Sequence, residues 1–305
     1  MENRFFTKRT IVGSLCGIAT GLLGFAIATA GTKGMGYVLF GLTPFFLGVV
    51  IGWSNRAAKV AGISALISLG GTLLVLVALG KEGPLCAAMA FPFLLVSLLL
   101  GTLLGVGFRV AIKPEPKNRD ITVGALFLVS PFVFLGGARL ERPFLDHTRI
   151  ESVTTSVQVA DKPEVAWSHI QSIDSVNGSK PWLMHIGLPV PQKCTLEKTA
   201  VGARRTCYFD QGYIQETVTT WDPPRHMGLR IDRTHMPGRH WLGFENADYW
   251  LQPEGDGTRL TRTTTISSHL YPAWYWRPLE HWGVNSEHRY ILSDAVRRSN
   301  LSSGR

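Results

Sequence analysis

Five long apolar runs occupy the first 140 residues of the chain, at about 11–30, 35–53, 60–79, 85–108 and 121–138. None has a Lys, Arg, Asp, Glu or His in its interior. At 1.5 Å per residue, each run is long enough to cross about 30 Å of hydrocarbon, where a helix satisfies its own backbone polar groups. The pattern predicts a transmembrane bundle of five helices within residues 1–140.

Beyond residue 150 the apolar residues form shorter, alternating stretches. Residues 153–159 alternate as a strand does, and six more strand-like segments lie between Cys194 and Ser268. The capping-box sequence that starts at Asp161 predicts a helix through about Gln171, and a short helical or irregular piece covers 174–185. A long helix is expected at about 277–298. This order predicts an α+β domain over 150–300, with a strongly curved antiparallel sheet around a C-terminal helix and a cavity between them.

The net charge of +9 is concentrated in the first half of the chain. Residues 1–149 hold 14 Lys or Arg against 6 Asp or Glu, whereas residues 150–305 hold 17 against 16. The excess basic residues therefore flank the apolar runs. A nucleic-acid-binding protein needs a basic stripe on a folded surface, so nucleic acid is not expected as a partner. The expected partner is the lipid bilayer.

The basic residues of the short loops predict an orientation in the membrane. The segments before the first run, between the second and third, and between the fourth and fifth hold 9 Lys or Arg, and the alternate loops hold only Lys33 and Lys81. The positive-inside rule then places the N-terminus in the cytoplasm and, after five crossings, the C-terminal domain on the outer or periplasmic face. Arg139 and Arg142, which follow the last run, argue mildly for the opposite orientation.

Ala28-Thr29-Ala30 resembles a signal-peptidase site, but the apolar run before it is longer than is usual in a signal peptide. We therefore expect an uncleaved first helix; cleavage would leave four helices and the same outward domain. Ionisable residues inside a membrane mark ion and proton paths, and these runs have none. The bundle is expected to anchor the chain rather than to transport a solute.

Two stretches of the C-terminal half carry a family resemblance. They are Gly202–Phe209, with the sequence GARRTCYF, and Ile214–Pro224, with the sequence IQETVTTWDPP. Together with Ala160–Trp167 (ADKPEVAW) and Gly257–Thr261 (GTRLT), they resemble the SRPBCC superfamily of START-like and polyketide cyclase/dehydrase-like proteins. The resemblance covers about residues 150–300. It implies a helix-grip fold with a central cavity for a lipid or another apolar small molecule, and it does not determine a reaction.

Three functions follow from that resemblance. The first is membrane-tethered binding of a hydrophobic small molecule or lipid, without catalysis. The second is an enzyme of the cyclase/dehydratase or hydrolase kind that acts in the same cavity, and the third is an interaction domain without a ligand. No protein partner is predicted.

Candidate cavity residues lie on two strands and on the terminal helix. They are Tyr208, Ile214, Glu216, Val218, Leu279, Trp282, Ser286 and Tyr290. A buried Glu216 would need a cationic partner such as Arg204 or Arg230. No catalytic residue is assigned, because His281 and His288 are more simply explained as hydrogen-bonded helix residues. Their seven-residue spacing cannot chelate one ion, so no metal and no cofactor are expected.

Cys194 and Cys207 flank a tight turn near Ala200, and a hairpin there would place them nearly opposite each other. In an oxidising outer compartment they are candidates for a cross-strand disulfide. Cys16 and Cys86 lie in apolar runs and are expected to be packing residues.

Overall fold

The computed structural model describes residues 8–30, 34–55, 57–236 and 242–302. Its contacts divide the chain into two compact units. One comprises Met1–His147 with His269–Ala273, and the other comprises Thr148–Ser268 with Trp274–Arg305. Each unit is described by itself below.

Among the described residues of the first unit there are five α-helices, one overlapping each of the five apolar runs. They are α1 (Lys8–Thr29), α2 (Thr43–Ser54), α3 (Ala58–Ala78), α4 (Pro84–Ile112) and α5 (Pro116–Leu145), and a π-helical turn at Val38–Leu42 leads into α2. Within the described residues, three helical segments are long and apolar enough to cross a membrane: Ala58–Ala78, Pro84–Ile112 and Asp120–Leu145. Gly13–Thr29 and Val38–Ser54 are shorter apolar helices.

Helices α2 and α4 pack backbone against backbone. A side chain added at Gly101 would lie 2.0 Å from the carbonyl oxygen of Phe45, and one added at Gly48 would lie 2.2 Å from the carbonyl oxygen of Leu98. Both are far inside van der Waals contact. Glycine, which lacks a side chain, allows this close approach of the two helix backbones.

The second unit is a seven-stranded antiparallel sheet with a long helix. Its strands are β1 (Arg149–Val159), β2 (Pro191–Leu196), β3 (Arg204–Phe209), β4 (Gly212–Asp222), β5 (His226–His235), β6 (Leu242–Glu254) and β7 (Gly257–Ser268). They lie in the order β1-β7-β6-β5-β4-β3-β2, so the first strand pairs with the last. Register shifts interrupt the β4–β5 and β6–β7 ladders, and such bulges bend a sheet. The predicted α+β class with a curved antiparallel sheet and a C-terminal helix is confirmed.

Three helices complete this unit: α6 (Pro163–Gln171), α7 (Trp182–His185) and α8 (Ala273–Ser302). The core lies on one face of the sheet, where Leu260, Leu251 and Tyr249 pack with Trp167 of α6 and Leu292 of α8. The alternation of apolar and polar residues along β7 produces this face, because successive side chains of a strand point to opposite sides.

The start of α6 differs from the predicted capping box. The residue that caps the helix is Lys162, and it makes no side-chain capping bond. The carboxylate of Asp161 instead lies 2.9 Å from Nε2 of His169, and its backbone N–H donates to Ser299 Oγ at 2.9 Å. The carboxylate predicted to cap α6 is therefore bound by a histidine of the same helix, while the backbone of Asp161 is tied to the last turns of α8.

The first turns of α8 are tied to β1 by charged groups. Arg149 donates to Glu280 at 2.7 Å, and Glu151 accepts from Arg277 and His281, each at 2.8 Å. Burial raises the pKa of Glu151, but the hydrogen bonds from Arg149 and His281 outweigh that effect and lower it overall. The network fixes the helix over the concave face of the sheet.

Candidate functional site

A cavity lies between α8 and the inner face of the sheet. Its apolar lining consists of Pro191, Phe209, Ile214, Ile231, Phe244, Val284 and Ile291. Its volume is about 40 Å³. That is enough for a few water molecules, whereas pockets for drug-sized ligands measure about 300–1,000 Å³. A larger ligand therefore requires the side chains of the walls to move apart.

One end of the cavity lining holds a buried ion pair. Nη1 of Arg205 donates to Glu216 at 2.6 Å, and both side chains are almost completely buried. The other guanidinium nitrogens of Arg205 donate to the carbonyl oxygens of Ile170 and Gln171 at 3.3 Å. Burial lowers the pKa of Arg205, but the charge of Glu216 outweighs that effect and raises it overall. The Arg205 guanidinium therefore stays charged inside the protein.

A second ion pair lines the same cavity. Nη1 of Arg262 lies 3.0 Å from Glu287, and both side chains are largely buried. The ring centroid of Tyr249 is 5.4 Å from the guanidinium carbon of Arg262 and 5.9 Å from that of Arg205. These distances fall within the range of cation–π attraction. The cavity thus contains two cations, two anions and an aromatic ring within an apolar wall.

Arg262 retains a donor that the protein does not use. Its Nε–H is buried and has no hydrogen-bond acceptor among the described residues. A buried donor without an acceptor costs about 1–3 kcal/mol, so native structures satisfy such groups with water or a ligand. Since Arg262 lines the cavity, an oxygen atom placed there is a suitable acceptor.

His288 is fully buried on α8 beside the cavity. Its Nδ1 is hydrogen-bonded to Thr155 at 3.0 Å and its Nε2 to Thr264 at 2.7 Å, while the Thr155 hydroxyl donates to Asn285 at 2.5 Å. Burial and, to a lesser extent, the charge of Arg262 lower the pKa of His288 to about 2. The imidazole is therefore neutral near pH 7, and it orients Thr264, which lines the cavity.

The predicted strand candidates have three different locations. Ile214 and Glu216 line the cavity, whereas Val218 is buried in the adjoining core. Tyr208 is exposed, because its neighbours Cys207 and Phe209 take the inward positions of β3. The cationic partner of Glu216 is Arg205, not Arg204 or Arg230. Arg205 and Cys207 are two residues apart on β3, so their side chains point to the same face of the sheet. This alternation in the sequence could have identified Arg205 as the buried partner of Glu216.

The candidates predicted on α8 are offset from the residues of that helix that line the cavity. These candidates are Leu279, Trp282, Ser286 and Tyr290. The lining residues are Val284, Glu287 and Ile291. Ser286 donates to the backbone oxygen of Trp282, and Tyr290 donates to that of Val176 at 3.0 Å. Leu279 is half-buried and Trp282 is exposed. One residue of offset rotates a helix by about 100°, which is enough to exchange one face for another.

Cys194 of β2 and Cys207 of β3 face each other in the ladder, and the structure joins them in a disulfide. Both line the cavity, so the bond connects the edge strand to its wall. Across the ranges that the structure describes, no group of three or more His, Cys, Asp or Glu residues has a geometry suited to a metal ion.

Comparison with known proteins identifies this unit. Residues 151–302 match the model of a family described as polyketide cyclase / dehydrase and lipid transport. The C-terminal half of the chain belongs to this family. The predicted membership of the SRPBCC superfamily is thereby confirmed for that half.

Several solved structures align with about half of this chain. A protein from Nitrosospira multiformis has 19% identity over 51% of this chain and 100% of its own, with a TM-score of 0.36. One from Nitrosomonas europaea has 11% identity over 50% and 97%, with a TM-score of 0.37. Norcoclaurine synthase from Thalictrum flavum has 12% identity over 52% and 98%, with a TM-score of 0.36. The search of curated proteins found no significant match. At these scores the family assignment rests on the match of the family model.

Proposed function

We propose that the chain is a membrane-anchored protein that binds a hydrophobic small molecule or lipid in the cavity between α8 and the sheet. The observation that carries the proposal is the buried, unused Nε–H of Arg262 in an otherwise largely apolar wall. A ligand with an apolar body and one oxygen acceptor would satisfy this donor and cover the apolar lining. The match to a family of polyketide cyclases and lipid transport proteins supports the same ligand class.

The charges of the cavity further restrict the ligand's polar group. Arg205 and Arg262 are balanced by Glu216 and Glu287, so the site is neutral as a whole. An additional buried anion would have no counter-charge of its own, and burying an unpaired charge is very costly. A neutral acceptor such as a carbonyl or hydroxyl oxygen is therefore the better fit.

Mass spectrometry of lipids that co-purify with the detergent-solubilised full chain tests this function. We expect an apolar compound that Ile214→Phe, which fills the cavity, strongly reduces. Val201→Phe is the matched control, because Val201 is exposed on a turn. Recovery of no such compound, or equal recovery from both variants, would contradict binding at this site.

We further propose that all five apolar helices cross the membrane, with the N-terminus in the cytoplasm and the C-terminal unit on the outer face. The distribution of basic residues among the short loops supports this topology, and an oxidising outer compartment suits the Cys194–Cys207 disulfide. A reporter that functions only outside the cytoplasm, fused after Arg305, should be active. A fusion that is active only with a cytoplasmic reporter would refute the orientation.

A further inference from the structure

Two tryptophans of the C-terminal unit form an exposed aromatic pair. Trp182 of α7 and Trp282 of α8 stack with their ring centroids 5.8 Å apart and 16° between the planes. They are 61% and 46% exposed, respectively, although an indole is among the largest apolar groups available for burial. Leu183 and Met184, which follow Trp182, are buried and hold α7 in place. The pair is therefore presented on a fixed support.

Basic side chains accompany this pair. Lys180 precedes Trp182 by two residues, and Arg289 follows Trp282 by two helical turns, which places it on a similar side of α8. Both are exposed, and neither makes a salt bridge to a residue that the structure describes. Trp274, about two turns before Trp282 on α8, is 68% exposed. Together these five residues, named here the tryptophan surface, combine indoles with uncompensated positive charge.

The course of the chain connects this surface with the apolar helices. Trp274 follows Ala273 directly, and His269–Ala273 belong to the helical unit. Only three residues separate the end of α5 at Leu145 from the start of β1 at Arg149. The chain passes between the two units three times, at 147/148, 268/269 and 273/274, and Trp274 is the first residue after the last of these passages.

We propose that the tryptophan surface contacts the headgroup layer of an anionic membrane. Tryptophan is enriched where membrane meets water because its ring is apolar and its N–H is polar. Lysine and arginine near the surface are attracted by anionic lipids. The inference rests on the proposed anchoring of the apolar helices in a bilayer, and it adds a second, peripheral contact made by the ligand-binding unit.

Tryptophan quenching in nanodiscs tests the proposal. The full chain is placed in phosphatidylcholine–phosphatidylglycerol nanodiscs that contain a lipid brominated near its headgroup. We expect Trp182→Phe/Trp282→Phe to reduce the quenched fluorescence by roughly half. This double variant removes two of the four indoles that the proposals place at the bilayer; the other two are Trp53 and Trp274. Trp250→Phe is the matched control: Trp250 is 43% exposed and stacks on His226 of the sheet. Its loss should leave the quenched signal unchanged.

A further variant separates the role of charge. Lys180→Gln/Arg289→Gln should weaken quenching in the phosphatidylglycerol nanodiscs and leave it unchanged in phosphatidylcholine alone. Equal quenching of wild type and the double tryptophan variant would overturn the headgroup contact and leave the surface for a protein partner.

Trp53 of α2 shows which proposal has failed: the headgroup contact of the tryptophan surface, or the anchoring of the apolar helices in the bilayer. If Trp53→Phe lowers the quenched signal, the helices are in the bilayer, and the result for Trp182 and Trp282 judges the surface alone. If no tryptophan is quenched, Trp53 included, the anchoring is wrong and the tryptophan surface proposal is refuted with it.

Discussion

The interiors of the two units are stabilised in different ways. In the helical unit, α2 and α4 meet through glycines such as Gly48 and Gly101, with backbone directly against backbone. In the C-terminal unit, the sheet and α8 enclose two arginines and two glutamates beside an apolar core. On the proposed membrane placement, helices among lipid tails gain little from apolar contact with one another, so close packing has to hold them. A domain surrounded by water has the hydrophobic effect available and does not need interior charges for stability.

Under the proposed function, this difference separates side chains that stabilise the fold from side chains that bind a ligand. Buried ion pairs are weak contributors to stability, since apolar residues of similar volume often replace them without loss. On that proposal, Arg205, Glu216, Arg262 and Glu287 are present for the ligand rather than for the core.

Breaking the Arg205–Glu216 pair should have the largest effect. Arg205→Met leaves Glu216 buried without a counter-charge, and we expect a loss of about 3–5 kcal/mol in the free energy of unfolding. Chemical denaturation followed by tryptophan fluorescence measures it, because eight of the nine tryptophans lie beyond residue 140. Arg204→Met is the control, because Arg204 is exposed.

The paired variant Arg205→Met/Glu216→Leu should restore most of that stability, because no unpaired charge remains. If the double variant is as unstable as the single one, the ion pair is a structural requirement and the comparison above fails.

Removal of the disulfide should rank second. The cysteines are 13 residues apart in sequence, and closing a loop of that size stabilises a fold by about 3 kcal/mol. We expect Cys194→Ser/Cys207→Ser to lose an amount of that order. Thiol labelling of the unfolded, non-reduced wild type should detect two thiols, those of Cys16 and Cys86. Detection of four would show that the bond is absent in the natural protein.

Overpacking the α2–α4 contact should have a somewhat smaller effect. Gly101→Ala places a methyl group against the backbone of Phe45, and we expect about 1–3 kcal/mol of destabilisation. Gly107→Ala on the same helix has open space around the added atom, so it should be neutral or stabilising. Thermal unfolding in detergent, followed by far-ultraviolet circular dichroism, compares the two. Equal effects would remove the evidence that backbone contact holds these helices.

The buried His288 should make the C-terminal unit sensitive to mild acid. Its pKa of about 2 in the folded state lies below its ordinary value of about 6.5, so the unfolded chain takes up the proton first. The stability contribution is complete above about pH 6.5 and falls by about 1.4 kcal/mol per pH unit below it. Denaturation at pH 7 and pH 5 should show this slope in wild type, reduced in His288→Asn. His185→Gln, at an exposed histidine, serves as the control.

Much of the architecture was predictable from local pattern. The apolar runs, the alternation along Val153–Val159 and the turn residues between Cys194 and Ser268 predicted five helices, a curved sheet and the terminal helix. Side-chain periodicity carries this information because it is repeated over many residues. The start of α6 and the face of α8 were predicted less well. Asp161 was expected to cap its own helix but binds His169, a contact that competes with the local cap.

The sequence by itself determined the two kinds of region and the family of the C-terminal half, because these depend on hydrophobic period and on many positions at once. Only the tertiary structure decided the contents of the cavity. Arg205 rather than Arg204 became the partner of Glu216, and Arg262 met Tyr249 and Glu287 across the sheet and α8. Moving by one residue along a strand places the side chain on the opposite face of the sheet. Moving by one residue along a helix turns it by about 100°, and either change exchanges a buried side chain for an exposed one. That choice is made by long-range packing, which no local pattern contains.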